Sequence, residues 1–127
     1  MTNTIFGTAV NCMDGRVQIP ICNWLRSQYG VDYVDMITEP GPVRFLAEDE
    51  DPWVSASIRR RLEISVNRHK SELVAIAGHH DCAGNPVPEE TQLKQIVAAI
   101  KTVKGWNFKV RAIGLWVNEN WEVQEVD

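Results

Sequence analysis

No stretch of the sequence approaches the roughly 18 consecutive apolar residues that a membrane span requires. The amino terminus, Met1-Thr2-Asn3-Thr4-Ile5-Phe6, has neither the basic region nor the long apolar run of a signal peptide, so cytoplasmic residence is expected. Basic clusters are also missing. Beyond Arg59-Arg60-Arg61, which reads as the wet side of a helix, no concentrated run of lysine or arginine occurs, and the formal charge is -4. Neutralising phosphates takes a concentrated basic face, so neither nucleic acid nor membrane is expected as a partner. No Gly-x-Gly-x-x-Gly follows the first strand candidate, which argues against a dinucleotide site. Internal repeats and low-complexity tracts are absent as well.

Cysteine is sparse and odd in number: Cys12, Cys22 and Cys82. In a chain with no secretory signal, disulfide pairing explains them poorly, and metal or thiol chemistry is the better expectation. Cys22 is set apart by its apolar surroundings, Ile19-Pro20-Ile21-Cys22-Asn23-Trp24-Leu25, and reads as a buried, inert small hydrophobe.

What is present fits one soluble domain spanning residues 1–127, with 44% hydrophobic and 24% charged residues. Residues 4–10 form a near-continuous apolar and β-branched run, as expected of a strand covered on both faces. Residues 19–29 follow as a helix, with Pro20 in its first turn and Gly30 at its stop. A second strand is expected over 31–37. It is ended by Glu39-Pro40-Gly41-Pro42, whose two prolines are expected to forbid further regular structure. Glu48-Asp49-Glu50-Asp51 reads as a loop feeding a helix over 52–68 that Asp51 caps and Pro52 begins. On it Val54, Ile58, Leu62 and Val66 form one apolar stripe.

Residues 72–78 read as a third strand, and a helix starts near Pro88-Glu89-Glu90 with Leu93, Ile96, Val97 and Ile100 inward. A fourth strand over 108–117, a turn at 118–120 and an antiparallel edge strand over 121–126 complete the chain. The five tryptophans, Trp24, Trp53, Trp106, Trp116 and Trp121, are expected in the core or at a subunit contact. This alternation predicts an α/β fold in three layers around a mainly parallel sheet, with strand order 2-1-3-4 and strand 5 at the antiparallel edge. In that order a crevice opens at the carboxyl ends of strands 1 and 3.

Those two ends carry the chemically demanding residues. Cys12 closes the first strand and is followed at alternate positions by Asp14 and Arg16; Gly78-His79-His80-Asp81-Cys82 closes the third. Cys12, His79 and Cys82 make a set of two thiolates and one imidazole, which zinc accepts tetrahedrally with a fourth position left for water. The sulfurs disfavour magnesium and calcium, and four protein ligands for an iron–sulfur cluster are not evident. If residues 12–16 stay extended, Cys12, Asp14 and Arg16 project to one side. Asp14 would then accept a hydrogen bond from the metal-bound nucleophile, or swing in as a fourth ligand, and Arg16 would hold Asp14 by a two-pronged contact that keeps it ionised. His80 and Asp81, between two of these residues, receive no catalytic role, and His69 is expected to meet the last carbonyls of its helix.

Together "CMDGR" and "HHDC" resemble the Cys-x-Asp-x-Arg and His-x-x-Cys motifs of the β-class carbonic anhydrases, and the order of strands and helices resembles that family over most of the chain. The resemblance implies one zinc ion per chain on Cys12, His79 and Cys82, with Asp14 and Arg16 as the dyad beside it. It implies a lyase that reversibly hydrates carbon dioxide to bicarbonate by metal-bound hydroxide, and a homodimer or higher homo-oligomer. Two alternatives stay open: a hydrolase of carbonyl sulfide or carbon disulfide on the same zinc, and a non-catalytic zinc module with Asp14 as fourth ligand. Where the family usually carries an Arg-Asn-Ala-Gly-like stretch lining the pocket, this chain reads Thr38-Glu39-Pro40-Gly41-Pro42-Val43-Arg44.

Overall fold

The computed structural model describes residues 4–126. Five strands and four helices alternate: β1 (Phe6–Cys12), α1 (Gln18–Tyr29), β2 (Tyr33–Glu39), α2 (Pro42–Glu48), α3 (Pro52–Arg68), β3 (Leu73–His79), α4 (Glu89–Lys104), β4 (Arg111–Val117) and β5 (Val123–Val126). The sheet order is β2-β1-β3-β4-β5. All neighbours are parallel except β4 and β5, as the sequence predicts.

Alternating residues of the central strands feed two cores. Ala9 of β1 and Ala75 of β3 face α1, where Ile21 and Leu25 are fully buried. Val10 and Ile76 face the opposite layer and pack with Leu46, Ile58, Leu62 and Ile96 from α2, α3 and α4. Cover on both faces is why these strands carry unbroken apolar runs. The crossover from β1 to β2 uses α1 on one face, and the crossover from β2 to β3 uses α2 and α3 on the other. The chain thus leaves the centre of the sheet in opposite directions, and the carboxyl ends of β1 and β3 sit side by side at the switch point.

Several boundaries depart from the expected ones. β1 and β2 each run two residues further than read, so Cys12 is itself the last strand residue, paired in register with Glu39. The segment after β2 is not irregular: Pro42 opens α2, because proline's fixed φ and missing N–H suit a first helical turn. β4 starts only at Arg111, after a tight turn in which Val110 N–H donates to the Phe108 carbonyl (2.9 Å). α3 matches its expected span, and Asp51 accepts from the N–H groups of Trp53 and Val54.

Trp53 is 85% exposed and so lies outside the core. Two burial expectations fail. Val97 is 41% exposed, on the outward side of α4. Cys22 is half-buried rather than sealed in the core. His69 does not cap its own helix; its Nδ1 lies 2.6 Å from Asp35 Oδ2 on β2, a stronger partner than a terminal carbonyl.

Candidate metal centre

β1 and β3 deliver Cys12 and His79 to the crevice, and the turn after β3 brings Cys82 back to them. All three are buried, and a ring nitrogen of His79 and the two sulfurs lie within 4.8 Å of one another. The sulfurs are 3.8 Å apart. His79 Nδ1 lies 2.7 Å from the His80 carbonyl oxygen, which can only accept, so Nδ1 carries the proton and Nε2 keeps a lone pair. That Nε2 is buried without a hydrogen-bond partner among the described residues. Burying an imidazole lone pair unpaired beside two cysteine sulfurs costs free energy. A divalent cation there would satisfy it, and the donor set, two sulfurs and one nitrogen with the second nitrogen held by a carbonyl, fits zinc.

The electrostatics match. The hydrogen bond from the Cys82 thiol holds the Cys12 pKa well below that of an ordinary thiol against the opposing effect of burial, helped by His79 and by backbone N–H groups. One of these, Gly41 N–H, lies 3.5 Å from Cys12 Sγ. Cys82 is pushed upward because its thiol proton is held in the hydrogen bond to Cys12, and because burial and the charge of Cys12 both disfavour a second anion there. Burial works to lower His79, but its contact with the Cys12 thiolate and the His80 carbonyl outweigh it and leave the pKa raised. Without a cation the cluster therefore holds one thiolate and one thiol.

Asp14 and Arg16 do meet, though not by strand alternation. The strand stops at Cys12, residues 15–17 turn, and Arg16 N–H donates back to Asp14 Oδ1 (3.0 Å). The Arg16 guanidinium then grips both carboxylate oxygens, Nε to Oδ1 at 3.0 Å and Nη2 to Oδ2 at 2.7 Å. This fork holds the Asp14 pKa down at about 2. Asp14 is not part of the close cluster formed by Cys12, His79 and Cys82.

A family profile described as "Putative carbonic anhydrase" matches residues 2–127. The chain belongs to this family. Among solved structures it is similar to the β-carbonic anhydrase CcaA, at 14% identity over 98% of this chain and 81% of that one, with a TM-score of 0.51. It is similar also to one of two tetrameric β-carbonic anhydrases from the filamentous ascomycete Sordaria macrospora, at 13% identity over 98% and 82% of the two chains, with a TM-score of 0.50. At these identities the likeness concerns the fold. Curated protein sequences yield no match.

Around the family's two motifs stand residues that sequence reasoning passed over. Gln92, buried in the first turns of α4, accepts from His79 N–H (3.2 Å) and donates to the His79 carbonyl (2.8 Å). Gln18, at the start of α1, donates to the carbonyls of Cys12 (2.6 Å) and Asp14 (2.7 Å) and pins the turn between them. A Cβ on Gly41 would come within 2.7 Å of Asn85 Cβ, and one on Gly84 within 2.7 Å of the Pro40 carbonyl carbon, so the loop beside Cys12 and the loop carrying Cys82 pack backbone to backbone. Asp81, given no role from sequence, reaches Arg16. A buried glutamine inside a helix's apolar stripe was the one signal available for Gln92; the others are visible only in three dimensions.

Proposed function

We propose that the chain catalyses the zinc-dependent, reversible hydration of carbon dioxide to bicarbonate, with Cys12, His79 and Cys82 holding one zinc ion. The observation that carries this reading is the buried convergence of two sulfurs and an unpartnered imidazole nitrogen beside an ionised, arginine-held aspartate. Zinc bound by such a set polarises a water molecule so that it can lose a proton near neutral pH.

The chain's own groups supply the rest. His79 is held in one tautomer by the His80 carbonyl, so Nε2 points its lone pair without reorganisation. Asp14 is kept ionised at physiological pH by Arg16 and would accept a hydrogen bond from a nucleophilic water, orienting it toward the substrate carbon. Arg16, which grips Asp14, would offset part of the negative charge of a site built on two cysteines and a carboxylate. Both Asp14 oxygens are engaged by Arg16, which favours an acceptor role over service as a fourth ligand.

The reading further includes a small linear substrate and a homodimer or higher homo-oligomer, both suggested by the family, together with a single domain and a cytoplasmic location. Among the described residues no helix is long and apolar enough to cross a membrane.

Stopped-flow hydration of carbon dioxide by zinc-loaded protein is the test, with zinc counted per chain and the assay repeated with carbonyl sulfide. One zinc per chain, a rate well above buffer and its loss in Asp14→Asn support the proposal. Stoichiometric zinc with turnover of carbonyl sulfide alone moves the substrate to the sulfur analogue. No bound zinc removes the proposal altogether.

A further inference from the structure

Arg16 is a half-exposed side chain on a turn, a setting in which an arginine normally samples many rotamers. Here it is held on three sides. Asp14 takes Nε and one Nη2 hydrogen. Asp81, from the turn between His79 and Cys82, takes the rest of the fork: Nη2 donates to its carbonyl oxygen (3.2 Å) and Nη1 lies 3.4 Å from its carboxylate. Four of the five guanidinium N–H groups thus have an acceptor. The open face of the guanidinium lies 4.3 Å from the ring centroid of Trp121, in the turn joining β4 to β5.

The two holding residues share an uncommon backbone. Asp81 has φ 58° and Trp121 φ 59°. A left-handed conformation is tolerable for aspartate but uncommon for a large aromatic, and strain of this kind persists where the surroundings require it. The Trp121 turn is closed by its N–H donating to the Asn118 carbonyl (2.9 Å), and His80 N–H donates to the Val117 carbonyl (2.9 Å), tying the ligand turn to the end of β4. The Trp121 ring also stands 6.5 Å from the rings of His79 and His80.

We propose that Trp121 and Asp81 are positioning residues that fix Arg16, and through it aim the Asp14 carboxylate at the metal centre. The proposal rests on the reading of Asp14 and Arg16 as the working dyad. It gives the short β4–β5 turn a purpose that its sequence, Asn118-Glu119-Asn120-Trp121, does not announce. The aromatic face supplies a flat, low-dielectric stop for the guanidinium, and Asp81 supplies the acceptors that keep the fork from rotating off Asp14.

The test uses full-length protein carrying Trp121→Leu, Trp121→Phe, Asp81→Asn and Arg16→Gln, alone and with Trp121→Leu combined with Arg16→Gln. Trp121→Leu is expected to lower kcat about two- to fivefold, the worth of an exposed cation–π contact, with KM within twofold and zinc content unchanged. Trp121→Phe is expected to restore most of the rate, and Trp121→Leu to add nothing in the Arg16→Gln background. A readout independent of turnover is the Arg16 Nε–H resonance of the protein with and without zinc. It should be sharp and slowly exchanging in the parent and in Trp121→Phe, and broadened in Trp121→Leu and Asp81→Asn. If Trp121→Leu leaves kcat and that resonance unchanged, or costs the same factor without Arg16, the proposal is wrong. If the parent binds zinc but turns over nothing, the functional reading fails while the resonance still decides whether Arg16 is held.

Discussion

Gln92 offers the sharpest test of how the fold holds the candidate centre. Its side chain makes two hydrogen bonds to the backbone of His79, one in each direction, in a place where the glutamine is 2% exposed. Gln92→Leu keeps the bulk and strands both the N–H and the carbonyl of His79. Each orphaned buried group costs about 1–3 kcal/mol, so the loss is expected to be about 2–6 kcal/mol out of a typical total of about 5–15. With a urea slope of about 2 kcal/mol/M, the midpoint of the zinc-free protein should fall by about 1–3 M with the slope itself unchanged. Gln92→Glu retains the acceptor for His79 N–H but sets a carboxylate against the carbonyl, and should fall at least as far above pH 6 as Gln92→Leu does. Because the same bonds orient the imidazole, zinc affinity measured by competition with a chromophoric chelator should weaken about 10–100-fold. A Gln92→Leu protein with the parent's midpoint and the parent's zinc affinity would show that β3 and the turn after it hold His79 unaided, and the reasoning would be refuted.

Three further outcomes are expected. Zinc binding followed by calorimetry in buffers of different ionisation enthalpy should release about one proton per site at pH 8, from Cys82, because the hydrogen bond between the two sulfurs lowers the Cys12 pKa and leaves the pair one proton to lose. The number should grow toward pH 6 as His79, raised by its surroundings, begins to bind a proton; two protons at pH 8 would mean that Cys12 is not a thiolate in the metal-free protein. Gly41→Ala should lose about 2–5 kcal/mol by urea unfolding, since a side chain at φ 63° is strained and its Cβ would press on Asn85 Cβ; a loss under about 1 kcal/mol would show that the two loops can part. Asp14, lowered from 3.8 to about 2 by Arg16, contributes stability that is complete above about pH 4 and disappears as pH falls through 2, so Asp14→Asn should flatten the fall in urea midpoint across that window, and an unchanged fall would contradict the pairing.

The architecture was legible because its determinants are local. Unbroken apolar runs such as Leu73–His79 announce strands buried on both faces, and Asp51-Pro52 announces a helix start by a capping side chain and a fixed φ. Right-handed crossovers then restrict the strand order. Where the reading failed, local rules pointed two ways. Pro40 and Pro42 both break regular structure, yet Pro42 is also a favoured first residue of a helix, and α2 resolved the choice because Val43 and Leu46 gain burial against the sheet. Helical periodicity placed Val97 inward with Leu93 and Ile96, but α4 is rolled so that Gln92, Ile96 and Ala99 face the sheet. The roll brings Gln92 to His79, so the apolar count was exchanged for two hydrogen bonds at the site.

At the centre itself the residue types were legible and their posture was not. Two cysteines and a histidine at adjacent strand ends point to one cation, whatever the turn geometry, because only a tight cluster justifies burying them. The dyad reached the right partners by the wrong route. An extended chain would have carried Arg16 two positions along a straight strand; instead the turn at Asp14 folds the arginine back onto the carboxylate just before it. Once Arg16 is folded back, its outer side faces the ligand turn, and that is why Asp81, silent in the sequence, becomes its second acceptor and Trp121 its floor. A side chain's role here follows from the direction of one backbone turn, and spacing alone does not encode that direction. Lengthening the turn, for example by inserting a glycine after Gly15, should therefore uncouple Arg16 from Asp14 while leaving Cys12, His79 and Cys82 together. Zinc affinity that survives the insertion while the hydration rate falls would separate the metal cluster from the dyad; zinc affinity lost along with the rate would mean that the turn shapes the cluster as well.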